Sequence, residues 1–239
     1  MHMIVSFVQT KGGTGKSTLS VNSAFSRNVT TRFSSIALVE LDPQGTLQSW
    51  WNYRNDENRL SNNISFHHIS STQKEVIQDG ITSISAHNEL LILDIPGEST
   101  SRLHTKFACA FSDRIVIPMR TSTNDESAFK DNLLPVIKEI IKMNPDKKGN
   151  FQILPSFTNA QSNKEKVIEY FQDILPEYVE CLPVVFPARS IYENFNRDGM
   201  NLIEFTESLK KNKRAYSQAI KAVEDIEEIS AAIFNFTEK

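Results

Sequence analysis

The run Lys11-Gly12-Gly13-Thr14-Gly15-Lys16-Ser17-Thr18 gathers glycines, lysines and hydroxyls into one short stretch. Glycines without a Cβ let backbone N–H groups turn toward a common point and approach an anion closely. A lysine at position 16 can reach the outer phosphates of a nucleoside triphosphate, and a hydroxyl at position 17 can ligate a divalent cation. Gly12, Gly13, Thr14, Gly15, Lys16, Ser17 and Thr18 are therefore candidate ligands for ATP, with Ser17 on Mg²⁺. Such a cradle needs a strand ending just before the glycines and a helix opening at the lysine, whose N-terminus adds partial positive charge. Residues 3–9 (MIVSFVQ) form an apolar run of strand length, and residues 17–27 read as a helix that starts inside the glycine segment. A glycine turn that merely joined strand to helix does not account for Gly-Lys-Ser-Thr in register after the strand.

The elements that must carry this cradle follow from the hydrophobic pattern. Residues 35–41, 64–69, 90–95 and 114–119 are short apolar runs, and 90–95 and 114–119 are continuous enough for central parallel strands covered on both faces. Residues 151–154 and 182–186 are two further expected strands. Helical patterns occupy 47–54, 127–142, 163–175 and 213–234; Pro135 inside the second of these predicts a kink or a late helix start. Strands alternating with helices predict an α/β fold, a doubly wound and mostly parallel sheet with helices on both faces. No repeat or linker interrupts the pattern, so residues 1–239 are expected to form a single domain. Asp94, at the end of its strand, is placed to hold Mg²⁺ through water.

The composition narrows the class. The chain has 239 residues, of which 39% are hydrophobic and 23% charged, with a formal net charge of −3, as in an ordinary globular protein rather than a dedicated nucleic-acid binder. Cys109 and Cys181 lie far apart in apolar stretches and are expected to be reduced core thiols of a cytoplasmic protein. No apolar run reaches the length of a membrane span and no signal peptide precedes the first strand.

The glycine segment departs from the common G-x-x-x-x-G-K-[ST] pattern: Thr10 takes the first glycine position and Lys11 adds a second lysine. K-G-G-x-G-K-[ST] resembles the deviant Walker A ATPases of the partition and septum-site family, which are P-loop NTPases. Val39-Glu40-Leu41-Asp42-Pro43-Gln44-Gly45 resembles the second motif of that family, usually D-x-D-P-Q-G. Leu91-Ile92-Leu93-Asp94-Ile95-Pro96 resembles its Walker B strand, and Ser112-Asp113-Arg114-Ile115-Val116-Ile117-Pro118 resembles its A-D-x-V-I-I-P strand. The resemblance implies an ATP-dependent homodimer in which Lys11 reaches the partner's nucleotide and neutralises charge on the transferred phosphoryl group. It implies catalytic roles for Lys11, Lys16 and Asp42, with Asp42 orienting the attacking water and also able to cap the turn that follows it. Glu40 stands where the family carries aspartate. Its extra methylene is expected to displace a carboxylate and to slow hydrolysis further in a family already slow.

Subtype signals point in one direction. The paired cysteines that a metal-cluster carrier needs are missing from the sequence. Septum-site relatives end in a basic membrane-binding helix, whereas this tail carries Glu224, Asp225, Glu227, Glu228 and Glu238, so no membrane contact is expected. The partition branch binds DNA without sequence preference in its ATP state and responds to a partner protein that stimulates hydrolysis, which implies association with the nucleoid when ATP is bound. Lys210, Lys211, Lys213, Arg214 and Lys221, clustered without compensating acids, suit either phosphate contacts or a solvated helix entrance. Cys181-Leu182-Pro183-Val184-Val185, Arg189 and Asn196-Arg197-Asp198-Gly199-Met200 resemble the partition-like ATPases of T-DNA transfer systems, and Pro187 resembles the family's adenine-side proline. Trp50 and Trp51 are expected as core or interface anchors. Two functions stay open: a partition or positioning ATPase acting on a DNA cargo, or an ATPase of the same fold serving a conjugative relaxase complex or a small metabolite.

Overall fold

A computed structural model describes residues 2–9, 11–97, 102–159 and 162–234. Thr10 and Glu238 lie outside the described residues. The strands are β1 (Met3–Phe7), β2 (Ile36–Glu40), β3 (Ile64–His68), β4 (Leu90–Asp94), β5 (Arg114–Met119), β6 (Phe151–Thr158), β7 (Val179–Cys181) and β8 (Phe186–Pro187). They pair in parallel in the order β3-β2-β4-β1-β5-β6-β7, with β8 bonded further along β6. β1 lies between β4 and β5, so the chain winds outward on both sides of it and a crevice opens at the strand C-termini there.

The helices are α1 (Lys16–Ala24), α2 (Arg27–Thr30), α3 (Thr46–Asp56), α4 (Lys74–Ser85), α5 (Arg102–Phe111), α6 (Thr123–Ala128), α7 (Leu134–Met143), α8 (Lys164–Ile174), α9 (Leu202–Ser208) and α10 (Lys213–Phe234). Strand side chains alternate between two cores, as the period of two requires. Ile36, Leu38, Leu90 and Ile92 face a core shared with α1, α3, α9 and α10. Ala37, Val39, Leu91 and Leu93 face the core shared with α4, α5, α7 and α8. Both faces of β2 and β4 are therefore dry, which explains the apolar run that precedes the terminal acid of each strand.

Several local expectations shift. The strand-and-helix pattern read from the sequence omits α2, α4, α5 and α9. The strand expected at 182–186 is misplaced, with only Phe186 of it in a strand: ladder bonding runs over β7, before that range, and resumes at β8, and Pro183 between them has no N–H to give a ladder. The helix expected from 127 begins earlier, as α6, and passes through a π-turn at Phe129–Leu133 before Pro135 enters the first turn of α7. The wider turn accommodates a proline that would otherwise clash with a carbonyl four residues back. Cys109 is buried and Cys181 only partly so; both are free thiols.

α3 matters for function because it follows the Asp42 loop, and it is held firmly at its far end. Arg54 is fully buried; its guanidinium donates to the Gly199 carbonyl at 2.8 Å and to both Glu204 oxygens at 2.7 and 2.9 Å. It also lies over the Phe25 and Trp50 rings. Gly199 must be glycine: its φ is +67°, and a Cβ there would fall 2.3 Å from the Arg54 backbone nitrogen. Trp50 is a core residue whose indole N–H donates to the Met200 carbonyl, and Trp51 stacks on Phe66. Both tryptophans are thus structural anchors of α3.

Candidate functional site

The glycine segment bridges β1 and α1 as its sequence requires. Gly13 and Gly15 adopt φ of +69° and +89°, a region L-residues avoid, and Gly15 is the residue from which α1 starts. A Cβ on Gly15 would sit 2.7 Å from the Phe186 ring, so β8 lies against the loop through Phe186, with Pro187 next to it in the strand. Arg120 at the end of β5 donates to the Gly13 carbonyl, and its guanidinium covers the Phe157 ring at 4.6 Å.

Lys16 is 7% exposed and its Nζ donates to the Lys11 carbonyl at 3.4 Å. Burial lowers its pKa, opposed by the nearby charges of Asp94 and Asp42. Gly97, two residues beyond Ile95, closes the loop after β4 onto this lysine: a Cβ there would lie 2.8 Å from Lys16 Nζ. Ser17 and Ser20 donate to the two Asp94 oxygens at 2.7 and 3.2 Å. Burial pushes the Asp94 carboxyl up to about 6; Ser17 and Lys16 pull it down and Glu40 adds to the rise.

Glu40 has a different task from the one its motif position suggests. It is fully buried, and its two carboxylate oxygens accept from the backbone N–H groups of Leu47 and Gln48 at 2.8 and 2.9 Å. These are orphan donors of the first turn of α3, whose N-cap is Gly45 and has no side-chain oxygen to offer. The glutamate reaches them from the neighbouring strand, and its longer side chain serves as a remote helix cap. Burial raises its pKa and the two amides lower it. Asp42 follows on the loop, where Oδ1 accepts from the Gln44 N–H at 2.9 Å. The expected turn-capping contact is thus present.

Lys11 is not an isolated loop lysine. Its ammonium donates to Asp125 Oδ1 at 2.5 Å; Asp125 is buried in the first turn of α6, and its Oδ2 accepts from the Arg120 N–H at 3.3 Å. Asp125, Arg120, Gly97 and the capping use of Glu40 were not found from the sequence. Pro96-Gly97 directly after Asp94 was the one readable signal; Asp125 lies 114 positions from its partner, beyond any local pattern.

The phosphate-cradle residues, Lys11, Asp42 and Asp94 therefore surround the C-terminal ends of β1, β2 and β4, with Pro187 on the β8 side. The basic residues lie elsewhere: Lys210, Lys211, Lys213 and Arg214 at the junction of α9 and α10, and Lys221 further along α10. Lys211, Lys213, Arg214 and Lys221 are exposed, but Lys210 is ion-paired with Glu207, so the cluster is not free of acids as expected. The acidic residues of the last helix are largely engaged: Asp225 holds Arg189, Glu227 accepts from the N–H groups of Arg27 and Asn28, and Glu228 pairs with Lys164. α10 is docked on the body of the domain, and no helix among the described residues is long and apolar enough to cross a membrane.

A triphosphate suits these residues. The Thr14 hydroxyl is buried at the cradle without a protein partner, Lys16 is a desolvated cation, and the glycines leave room for a close approach. Among the described residues no group of three His, Cys, Asp or Glu side chains forms an all-protein metal cage. A divalent cation would use Ser17, phosphate oxygens and water held by Asp94, the manner typical of Mg²⁺.

Fold and site together define a P-loop nucleotide-binding protein. The family profile described as the CobQ/CobB/MinD/ParA nucleotide binding domain matches residues 5–236, and the chain belongs to that family. Among solved structures, apo McdA of Cyanothece is similar with a TM-score of 0.65 at 13% identity, covering 93% of this chain and 100% of that one. The MinD cell division protein of Aquifex aeolicus matches with a TM-score of 0.62 at 16% identity, covering 93% and 95%. A putative plasmid partition protein of Borrelia burgdorferi bound to AMPPNP matches with a TM-score of 0.57 at 13% identity, covering 88% and 99%. No sequence among the curated proteins matches the chain. The resemblance in fold and family is thereby confirmed.

Proposed function

We propose that this protein is an ATP-dependent, dimerising partition or positioning ATPase. ATP binds the cradle of residues 12–18 with Mg²⁺ on Ser17 and water held by Asp94, and Pro187 flanks the adenine. Lys16 binds the β- and γ-phosphates, Asp42 orients the attacking water, and Lys11 of one protomer completes the partner's site. The observation that carries this reading is the convergence of Lys11, Lys16, Asp42 and the Ser17–Asp94 pair at one crevice. In the free chain Lys11 is held by Asp125, so the trans role requires that pair to open. Hydrolysis is correspondingly slow until a partner protein stimulates it.

The ATP-bound dimer binds DNA without sequence preference through Lys211, Lys213, Arg214 and Lys221, with Lys210 contributing once it leaves Glu207. Lys213 and Arg214 occupy the first turn of α10, which carries no acid, so they add to the positive end of the helix rather than offset it. Such a placement is locally unfavourable without an anion and favourable beside a phosphate. The cargo is a plasmid or other DNA and the site of action the cytoplasm, at the nucleoid while ATP is bound.

The test has two arms. Phosphate release from MgATP should be measurable in the wild type and absent in Lys16→Ala; equal rates refute the active site. A gel shift should appear with ATP and not ADP and weaken with salt. In Lys213→Glu/Arg214→Glu, which removes two contacts from each protomer of the dimer, the log–log salt slope should fall by about 4. Intact DNA binding in that variant refutes the basic surface, and ATP-independent or absent shifts favour a non-partition ATPase.

A further inference from the structure

We infer that His68 and Gln48 are positioning residues for Asp42, acting through the main chain of its loop. The inference rests on the ATPase reading above. His68 ends β3, the edge strand beside β2, and its ring lies against the turn that carries Asp42. Nε2 is 2.9 Å from the Asp42 carbonyl oxygen, and Nδ1 is 2.8 Å from Gln48 Oε1. A carbonyl only accepts, so Nε2 carries the proton and donates to Asp42. Nδ1 then accepts from the Gln48 amide nitrogen in the neutral ring, with the amide turned over, or donates to its oxygen in the charged ring. In either form the donor to Asp42 is the same, and the bond does not depend on the charge of the ring.

The bridge spans the whole turn. The Asp42 carbonyl also accepts from the Gly45 N–H at 3.1 Å, and Gln48 stands in the first turn of α3 with its own N–H on Glu40. Gly45, at φ +66°, leaves the space the bridge occupies: a Cβ there would lie 3.3 Å from Gln48 Oε1 and 3.6 Å from His68 Cε1. α3 does not need this bridge to stay in place. Glu40 holds its first turn at two amides, and Arg54 fixes its other end. What the His68 bond fixes is the orientation of the Asp42 peptide. That peptide aims the carboxylate, whose Oδ1 accepts from the Gln44 N–H. A displacement of about 1 Å at such a group can cost on the order of a hundredfold in rate.

The test compares wild type, His68→Phe, His68→Gln and Gln48→Ala by steady-state phosphate release, equilibrium binding of a fluorescent ATP analogue, and thermal unfolding. His68→Phe keeps the ring and removes both nitrogens. It should lower kcat about tenfold or more, leave nucleotide affinity within about twofold and barely move the unfolding midpoint. His68→Gln, whose amide nitrogen can still donate to Asp42, should recover most of kcat, and Gln48→Ala should fall between. The inference is overturned if His68→Phe matches a hydrolysing wild type. It is equally overturned if kcat, affinity and stability fall together without rescue by glutamine, the signature of a purely structural residue. A wild type that binds ATP and releases no phosphate overturns the ATPase reading itself, and this inference with it.

Discussion

Replacing Asp94 by asparagine should stabilise the protein without ligand and disable it with ligand. Asp94 is 3% exposed, its ordinary carboxyl value is 3.8, and burial raises it to about 6 despite the Ser17 and Ser20 hydroxyls. A rise of that size corresponds to ~3 kcal/mol of strain in the ionised folded state. The sign follows from proton counts. Between about pH 4 and about pH 6 the folded chain keeps a proton that the unfolded chain has released. Stability therefore falls as pH rises through that window, and the full penalty stands above it. An asparagine amide carries no charge, so in EDTA Asp94→Asn should exceed wild type by up to ~3 kcal/mol at pH 7.5, less whatever the serine hydrogen bonds lose, and by little at pH 4. Urea unfolding followed by circular dichroism, run on both proteins across this range, gives the difference directly. With MgATP the order should invert, because the wild-type carboxylate regains favour beside the cation, whereas the variant keeps only the Ser17 side of the metal site and gains less from adding Mg²⁺ to ATP. An advantage that does not change with pH, or a variant less stable than wild type at pH 7.5, would refute the reasoning.

Two other substitutions separate the roles proposed for nearby acids. Glu40→Asp restores the residue the second motif usually carries, yet its shorter arm falls short of the Leu47 and Gln48 amides that Glu40 holds at 2.8 and 2.9 Å. It should cost about 1 kcal/mol of stability, read by the same urea titration, and should not speed hydrolysis; a faster and equally stable variant would return Glu40 to the catalytic machinery. Asp125→Asn weakens the tie on Lys11, a half-exposed lysine paired with a buried acid. With each pair discounted for solvent to ~1 kcal/mol and two pairs opening per dimer, the ATP-bound dimer should form at roughly thirtyfold lower protein concentration. A variant that dimerises less readily by sedimentation would show that Asp125 supports the dimer rather than restrains it.

The nucleotide cradle was legible because its chemistry is local: glycines, lysine and serine must follow one another in the chain, between a strand and a helix. The central strands were legible for a related reason, since Leu91-Ile92-Leu93 must be apolar on both faces. What escaped is what depends on distant pairing. Glu40 read as a displaced catalytic acid, because only the fold brings its carboxylate to the first turn of α3. The Asp125 partner of Lys11 escaped because only the placement of α6 brings the two together. α4 was missed where Gly80 interrupts a weak pattern whose buried positions are Ile77 and Ile81. The acidic tail read as a repulsive face, although Asp225 and Glu227 are spent on Arg189 and on the N-terminus of α2.

The central claim is that ATP joins two copies through Lys11. Sedimentation velocity with Mg²⁺ and either ATP or ADP, on wild type and Lys11→Ala, tests it most directly. The account predicts a dimer for wild type with ATP, a monomer with ADP, and a monomer for Lys11→Ala in both nucleotides while the variant still binds ATP. A wild type that stays monomeric with bound ATP, or a Lys11→Ala variant that dimerises as well as wild type, would contradict it.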